Sequence, residues 1–168
     1  AAMSAVKERL REAALPFPLL TLGRNAPHII EQFRHTSGAV LLATGAAWEG
    51  FDFPGDCVSL LVIPRLPFAY PDALKEKERE EYASLRQFIQ NVAVPEMQIK
   101  LRQGFGRAIR TESDTCVIAI LDERAGRGRR YNKAMLDALP EMRTTSSLRA
   151  VTKFLRELKP ESYFEVCA

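Results

Sequence analysis

VPEMQIKLRQGFGRAIR, Val94 to Arg110, reads as a helix whose two faces do different jobs. At about 100° per residue, Gln103, Arg107 and Arg110 stand at i, i+4 and i+7 and share one face. Val94, Met97, Leu101, Ala108 and Ile109 fall largely on the other side, the pattern of a helix packed on a core. Gly104 and Gly106 flank the polar row, and each costs up to about 1 kcal/mol relative to Ala in a helix interior. Close approach of another backbone or of a ligand is the expected reason for them. Two guanidinium forks and an amide on one face suit a polyanion, because the forks match phosphate oxygens and stay charged at any working pH. A solvated basic face is the plainer alternative.

Outward from this helix, apolar strands alternate with helices, which predicts an α/β fold with a mainly parallel sheet covered by helices on both faces. Ser4 to Ala14 reads as a helix capped by Ser4, with Val6, Leu10 and Ala14 on one face; Pro16 and Pro18 end it. Phe17 to Leu22 is a short strand. Pro27 to His35 is a second helix with Asn25 as a plausible cap and Ile29, Ile30 and Phe33 inward. Gly38 turns the chain into Ala39 to Thr44, a continuous apolar run suited to a strand buried on both faces. A Gly-rich loop, Gly45 to Gly55, leads to a second such strand, Cys57 to Ile63. Pro64 to Pro71 is an ordered loop. Asp72 caps the next helix, whose Lys75 to Glu81 is a solvated charge run and whose Leu85, Phe88, Ile89 and Val92 form a packing stripe. Thr115 to Leu121 is a third buried strand, Gly126 to Arg130 a basic turn, and Asn132 to Leu139 a helix. Ser146 or Ser147 starts the last helix, with Leu148, Val151, Phe154, Leu155 and Leu158 inward.

The 168 residues fit one domain with a real core, and 46% apolar with 27% charged residues is ordinary for a globular protein. A net charge of +3 is compatible with nucleic acid but decides nothing. Cys57, Cys116 and Cys167 lack metal-ligand spacing and read as reduced thiols of an intracellular, cytoplasmic protein. The sequence offers no apolar run near about 18 residues and no signal-peptide pattern, so no membrane partner is expected.

The strand running into ATGAAWEGFDFPG, followed by QGFGRAIR, resembles motifs V and VI of superfamily 2 helicases. The WEGxDFPG form, the IPRLPFAYPD segment and the QxxGRxIR spelling, in that order, are most similar to the DinG-type branch of the XPD-like DNA helicases. The resemblance runs from about Phe17 to Leu158. It implies a RecA-like three-layer sandwich, the second helicase domain spanning 1–168, with a loop-helix insertion at about 64–93.

In open α/β sheets, ligands lie outside the carboxyl ends of strands. The glycines at 45, 50 and 55 let backbone amides approach phosphate oxygens, and the Thr44 hydroxyl adds a donor. The resemblance implies that this loop, with Thr44, Gly45 and Glu49, contacts single-stranded DNA. It further implies that Glu49, Gly50 and Asp52 link DNA to the ATP site. Trp48 could stack on a base or simply pack. From the resemblance, Arg107 and Arg110 stabilise charge on the transferring γ-phosphate, with Arg110 the first choice for the arginine finger and Gln103 as γ-phosphate sensor. Arg65, Phe68 and Tyr70 in PRLPFAYP suit single-strand stacking, or else pack their own loop. RAGRGRRYNK, Arg124 to Lys133, reads better as a solvated loop than as a DNA contact.

CVIAILDERA imitates a DExx box, the site that holds Mg²⁺, but the chain has no GxxxxGK[ST] to pair with it. Relatives commonly end this strand in Asp-x-Arg, so Asp122 is expected to be structural, and no metal site is expected. The resemblance implies that ATP and Mg²⁺ are shared with a first RecA-like domain, which carries an iron–sulfur cluster in many relatives. The resemblance also implies that the opening strand of the second domain is missing, so the expectation is a piece covering most of that domain. By implication the parent is a DNA helicase in repair or replication. The rival is a helicase-derived module that holds DNA or a partner without unwinding, against which the intact Gln103, Arg107 and Arg110 argue.

Overall fold

The computed structural model describes residues 2–23, 27–44, 53, 57–109, 111 and 114–165. The chain divides into two compact units, Ala1–Cys57 with Thr144–Ala168, and Val58–Arg143. In the first, α1 (Ala2–Glu12) leads past Pro16 and Pro18 to β1 (Leu19–Thr21), α2 (Pro27–His35) and β2 (Val40–Leu42). β1 and β2 are parallel, with Leu19 beside Val40 and Thr21 beside Leu42. A parallel pair needs a crossover, and α2 supplies it. Its Ile30 is buried with Leu22 and Phe53, and the Phe33 and Phe53 rings meet edge to face at 5.6 Å. Two further helices, α7 (Leu148–Leu158) and α8 (Ser162–Glu165), belong to this unit.

The second unit is built on β3 (Leu60–Ile63) and β4 (Val117–Ile120), again parallel, with Ile63 beside Ile120. Between them run α3 (Ala73–Glu80), α4 (Leu85–Phe88), a π-helical turn at Ile89–Ala93 and α5 (Val94–Ala108). A 3₁₀ turn at Glu123–Ala125 and α6 (Asn132–Asp137) follow β4. Met97 and Leu101, both fully buried, form the centre of this unit's core with Ile63, Leu66 and Ala108.

Helices and parallel strands alternate as the sequence predicts, and Asp72 caps α3 by accepting the Lys75 N–H at 2.9 Å. Several details differ. α1 already begins at Ala2, so Ser4 lies inside the helix. It stops at Glu12, because the chain turns at Ala14 into the left-handed region (φ 48°) ahead of the prolines. The strands are not buried on both faces. Leu60 and Val62 are exposed while Ile63 is buried, which is the period of a strand with one open face. β1, β2 and β4 are half-buried throughout.

The helix predicted from Asp72 through Val92 is broken. α3 ends at Glu80, where the Glu81 N–H turns back on the Glu78 carbonyl at 3.2 Å. Ser84 then caps a new start, accepting the Gln87 N–H at 3.2 Å. In α7, Ser147 is the cap. Leu148 and Leu158 are exposed, though, and Val151, Phe154 and Leu155 are only half-buried.

Candidate functional site

The pattern in α5 separates its faces as expected. Met97, Leu101, Gly104 and Ala108 form a buried stripe, and Val94 is half-buried. Gln103 is exposed and Arg107 half-buried, four residues apart on one face. Three attachments hold the helix in place. Gln98 Nε2 donates to the Ala134 carbonyl at 2.9 Å, and Arg102 Nε to the Ala138 carbonyl at 3.2 Å. Near its start Lys75 Nζ bridges Glu78, at 2.7 Å, and Glu96. Those hydrogen bonds, Glu78's first, raise the Lys75 pKa against partial burial.

Two expectations about α5 need correction. The helix ends at Ala108, and Ile109 is extended at φ −129° and ψ 114°. Ile109 is therefore not part of the helical stripe, and Arg110 lies outside the described residues. Two glycines in the last turns weaken the helix, and a β-branched residue follows. Gly104 is buried, in keeping with close packing. A Cβ built on Gly106, however, meets nothing within 4 Å, so among the described residues no close neighbour requires that glycine.

Both β3 and β4 end, in parallel, at a second group of candidates. Asp122 is buried, and its carboxylate accepts the Leu66 N–H at 3.0 Å and the Arg124 N–H at 3.0 Å. It also receives the Arg124 guanidinium, Nε at 2.9 Å and Nη2 at 2.7 Å. The Arg124 hydrogen bonds, helped by the two backbone N–H groups, hold the carboxyl well below the usual range although burial opposes them. Protein donors thus reach both oxygens, and the group is a structural pin between the two loops. The Arg124 guanidinium lies 5.4 Å from the Phe68 ring centre and 5.7 Å from that of Tyr131, and the two rings are 4.8 Å apart. Phe68 is therefore engaged within its own unit. Arg65 is exposed, and Tyr70 is 84% exposed. Sequence reasoning did not single out Tyr131 or the aromatic contacts of Arg124; the Asp-x-Arg spelling was the available signal.

In the first unit Thr44 is exposed just beyond the carboxyl end of β2. Gly45, Trp48, Glu49, Gly50 and Asp52 lie outside the described residues. Phe53, near the far end of the loop, is seated on Phe33. The loop candidates and the α5 candidates belong to different units.

A family model described as "Helicase C-terminal domain" matches residues 1–142. The chain belongs to this helicase family. The ATP-dependent DNA helicase YoaA of Haemophilus influenzae is 36% identical over 156 residues, covering 92% of this chain and 24% of that protein. The ATP-dependent DNA helicase DinG of Photobacterium profundum is 36% identical over 148 residues, 82% of this chain and 21% of that protein. The 3'-5' exonuclease DinG of Bacillus subtilis is 38% identical over 123 residues, 70% of this chain and 13% of that protein. The helicase domain thus spans about a quarter or less of the length of these relatives. Its alternation of helices with parallel strands is that of a RecA-like α/β domain. No helix among the described residues is long and apolar enough to cross a membrane.

Proposed function

We propose that this domain works as the second RecA-like half of an ATP-dependent DNA helicase, cytoplasmic and acting in DNA repair or replication. Its partners are single-stranded DNA and a first RecA-like domain. The observation that carries the reading is the seating of Gln103 and Arg107 on α5, whose opposite stripe is fully buried and which is held by Gln98, Arg102 and Glu96. A platform fixed on several sides keeps a guanidinium in place, so little reorganisation is needed when phosphate charge develops.

ATP with Mg²⁺ would supply the phosphoryl group and its counter-charge. On this chain, Arg107 and Arg110 face the γ-phosphate and Gln103 reports its presence. Gly50 and Asp52 connect that response to the loop in which Thr44, Gly45, Trp48 and Glu49 hold the DNA strand. In the other unit Arg65 and Tyr70 also contact single-stranded DNA, Tyr70 by stacking, while Phe68 supports its own loop from within. Any iron–sulfur cluster would belong to the first domain, as would the P-loop lysine.

The test is ATP turnover by a longer chain carrying both RecA-like domains, with and without single-stranded DNA. Arg110→Ala should lower turnover by about 10³-fold or more while nucleotide still binds. Wild-type turnover that DNA does not stimulate would count against the motor and favour a binding module. The 168-residue chain alone, having no P-loop, should not turn over ATP.

A further inference from the structure

The basic turn Arg127-Gly128-Arg129-Arg130 was expected to be a solvated loop, and its placement gives it more to do. It follows β4 and the loop holding Arg65 and Tyr70 follows β3, so both leave the carboxyl ends of adjacent parallel strands. Ligands of open α/β sheets gather at such ends. Asp122 ties the two loops together through the Leu66 N–H, and Phe68 packs on Tyr131. The turn itself has a set shape. Gly128 is in the left-handed region at φ 74°, and a Cβ on Gly126 would stand 3.1 Å from the Glu123 carbonyl oxygen. The Arg129 N–H closes the turn on the Gly126 carbonyl at 2.9 Å.

Arg127, Arg129 and Arg130 are all exposed, and among the described residues none has a carboxylate partner. Arg130 lies 5.2 Å from the Tyr131 ring centre. Of the two acids in the same stretch, Asp122 is matched by Arg124, and Glu123 alone stands exposed. A groove of about 710 Å³ adjoins the turn, lined by Arg86, Arg130, Tyr131, Leu85 and Ile89 among others. Cations beside an apolar and aromatic wall suit a polymer with both phosphates and flat base faces.

The geometry points to the Arg127–Arg130 turn as a second phosphate-binding surface for single-stranded DNA, continuous with the Arg65–Tyr70 loop, with the adjoining groove receiving an unstacked base. This rests on the reading of the domain as a DNA-binding helicase half, and it extends that reading to residues outside the family motifs.

Binding of a fluorescent oligo-dT to the 168-residue chain, measured by anisotropy across a salt series, tests it. Each phosphate contact on a single strand contributes about 0.7 to the slope of log K against log salt. Changing Arg127, Arg129 and Arg130 together to Ala should lower that slope by about 2 and weaken binding about tenfold or more at low salt. The double variant Arg127→Ala/Arg129→Ala, which leaves the Arg130–Tyr131 contact intact, should show about two-thirds of the slope change. A control removing the same charge elsewhere (Lys7→Ala/Arg9→Ala/Lys153→Ala) should change the slope by less than half as much. If wild type binds and the turn variants match the control, this inference fails and the DNA reading stands. If wild type does not bind oligo-dT, both fail. If the turn variants lose poly-glutamate binding but keep the DNA slope, the surface is for an acidic protein and the inference is overturned.

Discussion

Two amphipathic helices of this domain have opposite fates. α5 buries Met97 and Leu101 completely and carries Gln103 and Arg107 on its other side. α7 shows an equally clear apolar stripe from Leu148 to Leu158, yet none of its residues is buried. Helical period declares which face is apolar, whereas burial depends on what the rest of the chain lays against that face. For α5 the partners are identifiable: α6 and its C-cap Ala138 accept hydrogen bonds from Gln98 and Arg102, and α3 reaches Glu96 through Lys75. For α7 the described residues provide local contacts such as Arg156 over the Phe164 ring at 5.0 Å. Position on a stripe is therefore a poor measure of energetic weight.

Substitutions can break or sharpen this contrast. The largest effect is expected at Leu101→Ala, which should destabilise the domain by about 2–5 kcal/mol in urea unfolding, because a fully buried leucine leaves a cavity. A loss no greater than that of Leu148→Ala would erase the distinction between the two helices. Next comes Asp122→Asn, expected to cost about 1–3 kcal/mol, because the charge-assisted hydrogen bonds that the buried carboxylate accepts from the Leu66 and Arg124 N–H groups are weakened.

The same pin gives a pH dependence. The folded Asp122 titrates below the unfolded value of about 3.9, so its contribution is intact above that value and is lost as pH falls through the folded pKa. Acid unfolding from about pH 4 downward should accordingly be less steep in Asp122→Asn than in wild type, and identical slopes would mean that the carboxylate does not titrate with folding. In the first unit, Ala14→Gly should stabilise by about 0.5–1 kcal/mol, since a left-handed residue after a helix favours glycine. The smallest effect belongs to Leu148→Ala, within about 0.5 kcal/mol in the same assay, as for exposed sites generally.

Much of the architecture was legible because local signals agreed with one another. The apolar runs found the four strands among the described residues, Pro27 to His35 appears at those bounds, and Asp72 and Ser147 cap where their side chains predict. The buried stripe of α5 was readable from spacing, as was the structural role of Asp122 from its Asp-x-Arg setting. What the sequence hid were outcomes of competition. Leu85, Phe88, Ile89 and Val92 continue a helical stripe from α3, but Ser84 offered the backbone a new cap after α3 ended. Ile109 fits the α5 stripe, yet the helix releases it. Tyr131 looked like one more residue in a basic loop; its value comes from Phe68 and Arg124, brought to it from distant sequence.

The π-helical turn between α4 and α5 has a consequence for how this domain tolerates change. Its closing hydrogen bond runs from the Val94 N–H to the Ile89 carbonyl, five residues back instead of four. One additional residue in a turn advances the helix by about 100°. Ile89–Ala93 is therefore a phase setter. It fixes the angle at which Met97, Leu101, Gln103 and Arg107 emerge relative to Leu85–Phe88, much as a spacer fixes the timing of two gears. Substitutions there leave that angle alone, while losing a single residue would be a rotation more than a shortening, swinging the apolar stripe off the core and carrying Gln103 and Arg107 round with it.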